Sequence, residues 1–124
     1  MTESEINQLA DSIRETAFET HKYFKNGFLE KVYENSLRNR LRKQGLRIDQ
    51  QLPISVIDED GSIVGEYYAD LIVEDMILIE LKAAKTLLDE HTAQILAYLR
   101  ATKYKHGILI NFGSSKLQIR KFIQ

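Results

Sequence analysis

The chain has 124 residues, 44% of them hydrophobic and 28% charged, with a formal net charge of -1; these are the proportions of an ordinary globular domain, and the length suits one domain over 1–124 with a core of its own. It contains no cysteine, which excludes disulfide frameworks, thiolate zinc sites and cysteine nucleophiles. No apolar run approaches the roughly 18–20 residues of a membrane span, and the opening MTESEINQLADSIRE is acidic and amphipathic rather than basic-then-apolar, so a cytoplasmic protein without membrane contact is expected.

The spacing predicts a first helix over Glu3–Phe24, where Ile6, Leu9, Ile13, Ala17 and Phe24 form an apolar stripe and Thr2-x-x-Glu5 reads as a capping box. Asn26-Gly27 ends it. A second helix runs from Phe28 to Gln44, with Arg42 and Lys43 in its last turn and Gly45 just past it. Residues 46–57 read as a strand that Pro53 confines to an edge or a bend, and Asp58-Glu59-Asp60-Gly61 is a turn. Two strands follow, Ile63–Val73 and Ile77–Ala83, joined by a tight acidic turn at Glu74-Asp75-Met76. A third helix over Leu88–Lys103, a short apolar strand from Gly107 (ILINF) and an alternating strand LQIRKFI complete the chain. The order α-α-β-β-β-α-β-β describes an α/β sandwich, a mixed sheet flanked by helices, whose 82–108 crossover should be right-handed.

Charge is unevenly spread. Residues 31–47 carry six bases, among them Arg38, Arg42 and Lys43, against Glu34; 48–99 carry eleven acids against Lys82 and Lys85; 100–124 carry six bases, including Arg100 and Lys103, and no acid. A carboxylate cluster beside a phosphate-attracting rim would have this pattern, and so would ordinary solvated helix faces.

Asp70, Glu80 and Lys82 break the pattern, because each sits inside an otherwise apolar strand and a buried charge is costly unless paired or bound to metal. Glu80 and Lys82 share a sheet face. With a two-residue Glu74-Asp75 loop, Asp70 would lie on the opposite face. With three loop residues, 74–76, Asp70 pairs with Glu80, Ile72 with Leu78 and Tyr68 with Lys82, and Ala69, Leu71, Val73, Ile77, Ile79, Leu81 and Ala83 gather on one apolar face. The apolar pattern selects this second register.

Glu30 is a second anomaly: at 100° per residue it lies within about 20° of Leu37 and Leu41, so a carboxylate is expected on the buried stripe of the second helix, with Glu34 nearer the flank. His91, Gln94 and Tyr98 form a polar line along the third helix, in which His91 reads as a satisfied or exposed helix-end histidine.

Asp70, nine residues, then Glu80-Leu81-Lys82 resembles the D-x(n)-E-x-K core of the PD-(D/E)xK nucleases. Gly27-Phe28-Leu29-Glu30-Lys31-Val32-Tyr33 is similar to the signature of the GxxExxY family, a branch of that superfamily, and Gln94-x-x-x-Tyr98 resembles its Q-x-x-x-Y helix; the resemblance runs from about Ile6 to the C-terminus, nearly the whole chain. The resemblance implies a restriction-endonuclease-like mixed sheet with flanking helices and a Mg²⁺- or Mn²⁺-dependent nuclease acting on nucleic acid, DNA first. Asp70 and Glu80 would be metal ligands with the Leu81 carbonyl, and Glu30 a ligand or a neighbour of one. Lys82 would orient or help deprotonate the attacking water, and Gln94 and Tyr98 would line the site. Hydrolysis of a phosphodiester does need charge neutralisation and available hydroxide, and carboxylates, water and substrate oxygens are the ligands Mg²⁺ takes. Without metal, one of the clustered carboxylates should titrate high. Arg38, Arg42, Lys43, Arg100 and Lys103 are candidate phosphate contacts. Three alternatives stay open: Lys82 forming plain ion pairs with Asp70 and Glu80, a nuclease-fold module that binds nucleic acid or protein without turnover, and a purely structural interaction domain. A short chain gripping nucleic acid points to a homodimer or a targeting partner.

Overall fold

Eight elements form in the expected order in a computed structural model that describes residues 1–124: α1 (Glu3–Phe24), α2 (Glu30–Lys43), β1 (Ile48–Ile57), β2 (Ile63–Val73), β3 (Ile77–Lys82), α3 (Asp89–Arg100), β4 (His106–Asn111) and β5 (Gln118–Ile123). The strands make one sheet in the order β1-β2-β3-β4-β5, antiparallel throughout except for the parallel β3–β4 pair that α3 connects. Pro53 lies on edge strand β1, the position in a sheet where a residue without an N–H is tolerated. No helix is long and apolar enough to cross a membrane.

The amphipathic stripes decide the layers. Ile6, Leu9, Ile13 and Ala17 of α1 and Tyr33, Leu37 and Leu41 of α2 pack with Leu71, Val73, Ile77, Ile79, Leu81, Ile108 and Ile110. On the other face, Ile95, Tyr98 and Leu99 of α3 cover Ile72, Leu78 and Leu109. The Thr2–Glu5 capping box forms as expected. Helix α2 starts later than its periodicity suggests, because Phe28 and Leu29 stay outside it and Leu29 is extended. Helix α3 stops at Arg100 because the Thr102 hydroxyl takes the carbonyls of Tyr98 (2.9 Å) and Leu99 (3.3 Å). His91 is satisfied at the helix start, its Nδ1 accepting the Leu88 N–H at 3.0 Å.

The central hairpin has the register the apolar pattern selects, with Val73, Ile72 and Leu71 opposite Ile77, Leu78 and Ile79. Glu74 and Asp75 both take φ 53°, Met76 donates its N–H to the Val73 carbonyl at 3.0 Å, and Met76 is the additional residue that makes the loop odd. Non-glycine residues at positive φ need compensation. Glu74 exchanges bonds with the Arg47 backbone (2.7 and 2.8 Å), and Asp75 accepts from Lys103 (2.9 Å) and Tyr104 (2.7 Å).

Two details differ from expectation. The β2–β3 ladder ends at Leu71–Ile79, so of the expected pairs Ile72–Leu78 forms, while Asp70–Glu80 and Tyr68–Lys82 are not ladder pairs and Tyr68 keeps only its β1 neighbour Pro53. Ala69 packs with Ile72 and Leu78 on the α3 side, and Ala83, beyond the end of β3, is exposed. Strand β1 changes face at the same level: Ile48 belongs to the α1/α2 core, Ile54 to the α3 core, and Gln51 between them has φ 54°. Strict alternation fails where a left-handed residue interrupts the strand.

The segment Asn111-Phe112-Gly113 fixes the chain as it leaves β3. Asn111, fully buried, accepts the Ala84 N–H (2.9 Å) and donates to the Ala84 carbonyl (3.0 Å) and to Gln118 (2.9 Å). Phe112 donates its N–H to the Lys82 carbonyl at 2.8 Å. Gly113 lies so close to this strand exit that a Cβ there would come within 2.3 Å of the Ala84 nitrogen. Backbone cannot yield as a side chain can, so Gly113→Ala is expected to cost about 3 kcal/mol or more of stability, read as a lowered denaturant midpoint; a midpoint equal to wild type would refute this packing.

Candidate active site at the open end of the central hairpin

The α1–α2 connection sets one wall. Gly27 takes φ 122°, a conformation that other residues avoid. Tyr33 then pins the loop: its hydroxyl donates to the Lys25 carbonyl (2.5 Å) and accepts the Phe28 N–H (3.2 Å), while its ring stacks on Phe112 at 4.8 Å and 11°. Glu30, between them in sequence, is the first residue of α2. Its side chain is exposed, not part of the buried stripe expected from the helical wheel, because the first turn extends beyond the layer that Tyr33, Leu37 and Leu41 cover. Its carboxyl is raised above the ordinary value, first by desolvation and then by Asp70, with Lys82 pulling the other way.

The second wall is the place where the β2–β3 ladder stops. Side chains replace backbone pairing there: the Leu81 N–H donates to Asp70 Oδ2 (2.8 Å), and the Asp70 N–H donates to Glu80 Oε1 (3.2 Å). Asp70 and Glu80 are buried, with 9% and 4% of their surface exposed. Within a strand the N–H and C=O of one residue point to the same neighbour, so the Leu81 carbonyl faces the gap on the Asp70 side. Burial and the neighbouring Asp70 push Glu80 up to about 9, and burial also raises Asp70, against the Leu81 N–H that lowers it. Glu80 is the high-titrating carboxyl anticipated for a cluster without metal.

Two residues that sequence reasoning passed over complete this wall. Glu34, ranked below Glu30 from the helical wheel, is only 2% exposed and lies against the β1 edge. Gln51 donates from Nε2 to both Glu34 oxygens (3.1 Å each) and to Asp70 Oδ1 (3.2 Å). Its positive φ is what turns a residue of a continuous strand toward this side. A strained non-glycine backbone beside buried carboxylates points to function, and nothing in the local sequence QQLP announces it. Gln50 bonds Glu34 and Asn35, and Lys31 pairs with Glu34 at 2.9 Å.

Lys82 forms an ion pair with neither Asp70 nor Glu80; the ion pairs of the chain are Lys31–Glu34, Arg47–Asp49 and Lys103–Asp75. The plain ion-pair account of the strand therefore fails. The Lys82 ammonium instead donates to Gln94 Oε1 (2.5 Å), whose Nε2 donates to the Tyr98 hydroxyl (3.3 Å). The i, i+4 spacing on α3 delivers this relay to the end of β3, and desolvation, then Glu80 and Asp70, raise the Tyr98 hydroxyl. The structure thus brings together Asp70, Glu80, Leu81, Lys82, Gln94 and Tyr98, with Glu30 at the mouth. Of the basic candidates, Arg38 is spent on Gln50 (2.5 Å) and Asn35 (3.3 Å), Arg42 on the Ile48 carbonyl (2.8 Å) and Lys103 on Asp75; Lys43 and Arg100 are exposed and unpaired.

Asp70, Glu80 and the Leu81 carbonyl offer oxygen donors alone, the set that suits a hard divalent cation. No three carboxylate or imidazole side chains converge at metal-ligand spacing, so Glu30 is not drawn into a three-carboxylate cage.

The chain matches the family model of the PD-(D/E)XK nuclease superfamily over residues 7–122, and it belongs to that superfamily. The fold is accordingly restriction-endonuclease-like. Among solved structures it is similar to the protein described as "Crystal structure of SSO0001", with TM-score 0.63 and 19% identity over 76% of this chain. The match spans 49% of that chain, so the present chain corresponds to about half of it. No curated protein matches the sequence.

The raised Glu80 carboxyl has a signed consequence. Its folded value, about 9, lies above the ordinary 4.5, so the folded state binds the proton more tightly and the metal-free protein loses stability as pH rises from about 4.5 toward 9. Glu80→Gln is expected to flatten that slope and to stabilise the metal-free protein at pH 7 by on the order of 2–3 kcal/mol. Denaturant melts at several pH values measure both; a Gln variant with the wild-type slope would contradict the assignment.

Proposed function

We propose that this chain is a metal-dependent nuclease of the GxxExxY branch, hydrolysing phosphodiester bonds of nucleic acid, DNA first, in the cytoplasm. The observation that carries the reading is a pair of adjacent buried carboxylates with no basic partner, placed where a strand ladder opens. Asp70 and Glu80, with the Leu81 carbonyl, would hold Mg²⁺ or Mn²⁺. Bound there, the ion neutralises phosphate charge and makes hydroxide available near neutral pH.

The remaining roles belong to the chain's own residues. Lys82 is free of ion pairs and held by Gln94, so its ammonium can orient the attacking water and, by its positive charge, stabilise the hydroxide formed when the proton passes to solvent. Tyr98 fixes Gln94 in turn. Glu30 faces the same mouth with a carboxyl that desolvation and Asp70 raise above the ordinary glutamate value. Gln51, bridging Asp70 and Glu34, is a positioning residue. Lys43 and Arg100, exposed and free of side-chain hydrogen bonds, are the basic candidates most open to phosphate, while Arg38 and Arg42 keep their charge but bond neutral groups beside β1. A homodimer or a targeting partner would supply further grip.

One observation favours the competing reading of a module that binds without turnover: no third carboxylate joins Asp70 and Glu80 at ligand spacing. Cleavage of labelled single- and double-stranded DNA and RNA, with Mg²⁺, Mn²⁺ or EDTA, separates the two. Metal-dependent cutting is expected, reduced about a thousandfold by Asp70→Asn or Glu80→Gln and by roughly 10²–10⁴ in Lys82→Ala. Gln51→Ala, acting through Asp70, is expected to cost about 10–100-fold in activity or metal affinity. Absence of cleavage on every substrate, with metal binding intact, would favour the silent module.

A further inference from the structure

A groove of about 640 Å³ leads away from the carboxylate pair between the outer half of the β1–β2 hairpin and α3. Val56 and Ile57 of β1, Tyr67 of β2 and Gln94, Tyr98 and Arg100 of α3 line it. Two of these, Gln94 and Tyr98, are the relay that holds Lys82, so the groove begins at the site itself. Tyr98 forms the inner wall with only 8% of its surface exposed, while Tyr67 presents 49% of its surface, its ring 5.5 Å from that of Tyr98 at a 40° tilt. No carboxylate lines the groove, and Arg100 at its rim is exposed and makes no ion pair.

Packing does not account for Tyr67: half its surface faces solvent, and the cores on both sides of the sheet are closed without it. We propose that this groove binds an unpaired nucleobase of the substrate strand, stacked on Tyr67 beside the apolar wall of Val56 and Ile57, with Arg100 taking a neighbouring phosphate. The substrate class is then single-stranded nucleic acid, or a duplex with an unpaired end. An intact duplex has its base faces covered by stacking and offers only edges in its grooves, whereas every unpaired base offers a face to an aromatic ring. The groove volume is that of a small-ligand pocket, enough for a base with its sugar. One unpaired arginine, Arg100, and a carboxylate-free lining suit an anionic strand, and Tyr98, bonded to Gln94, links the groove to the reacting end. The proposal rests on the nuclease reading for its ligand, but binding can be measured apart from cleavage.

The test is fluorescence anisotropy on the full chain in EDTA, with short labelled oligonucleotides of one sequence: single-stranded, blunt duplex, and duplex with a single-stranded overhang. Wild type is expected to prefer the first and third over the blunt duplex by about tenfold or more. Tyr67→Ala should remove that preference and Tyr67→Phe should keep it, because stacking needs the ring and not the hydroxyl. Arg100→Ala should weaken all binding and lower the salt slope by about 1. A Tyr67→Ala protein with wild-type melting that keeps the preference overturns the proposal, as does equal or tighter binding of the blunt duplex, or no oligonucleotide binding at all. Cleavage in Mn²⁺ is run in parallel. Cutting that ignores Tyr67 would leave the nuclease standing without this groove, and strand binding without cutting would do the reverse.

Discussion

Two carboxyl groups buried side by side, with no basic side chain paired to either, are the constraint around which this end of the molecule is built. Each would be costly alone in an apolar sheet, and together they repel. The strands respond by giving up their ladder beyond Leu71 and Ile79, so that backbone N–H groups of Leu81 and Asp70 turn to Asp70 and Glu80 side chains instead. What remains unbalanced is held as a proton on Glu80. Such a pair is poor design for a stable sheet and good design for a cation site, since a divalent ion would repay the repulsion that the metal-free protein must tolerate.

The surrounding elements hold this opening in shape without touching the reacting groups. Asn111 grips the Ala84 peptide, Phe112 bonds the Lys82 carbonyl and stacks on Tyr33, and Tyr33 in turn ties down the Gly27 loop. The glycine, glutamate and tyrosine of Gly27-x-x-Glu30-x-x-Tyr33 therefore have separate physical jobs: a backbone conformation, a carboxyl at the mouth, and a clamp joining the loop to the sheet through one aromatic stack. The two walls are one connected unit.

Much of this was legible in the residues. The apolar set Leu71, Val73, Ile77, Ile79 and Leu81 admits only one hairpin register, and that register brings Asp70 next to Glu80. Helix spacing likewise put Gln94 and Tyr98 on one line. The failures share a cause, which is that periodicity describes the interior of an element and not its ends. Glu30 sits on the wheel's apolar stripe yet escapes burial because it is the first residue of its helix, and Glu34, one turn on, is buried instead. Gln51 was invisible because alternation assumes unbroken extended backbone, and its left-handed φ reverses the strand's faces. Asn111 reads as the polar end of an apolar strand, and the two bonds by which it grips Ala84 come from a segment 27 residues away. Arg38 and Arg42 illustrate the same limit for charge: composition counts them as a basic segment, but their guanidinium groups are already committed to β1.

The central claim is that Asp70 and Glu80 form a cation site kept partly protonated until it is filled. Calorimetric titration with Mn²⁺ at pH 7 in two buffers of different ionisation enthalpy tests it directly. Because Glu80 holds its proton to about pH 9, binding should release close to one proton per ion, visible as a buffer-dependent heat, and Asp70→Asn should abolish binding while Glu80→Gln removes the proton release. Absence of Mn²⁺ binding to the wild-type protein, or binding that neither substitution alters, would contradict the account.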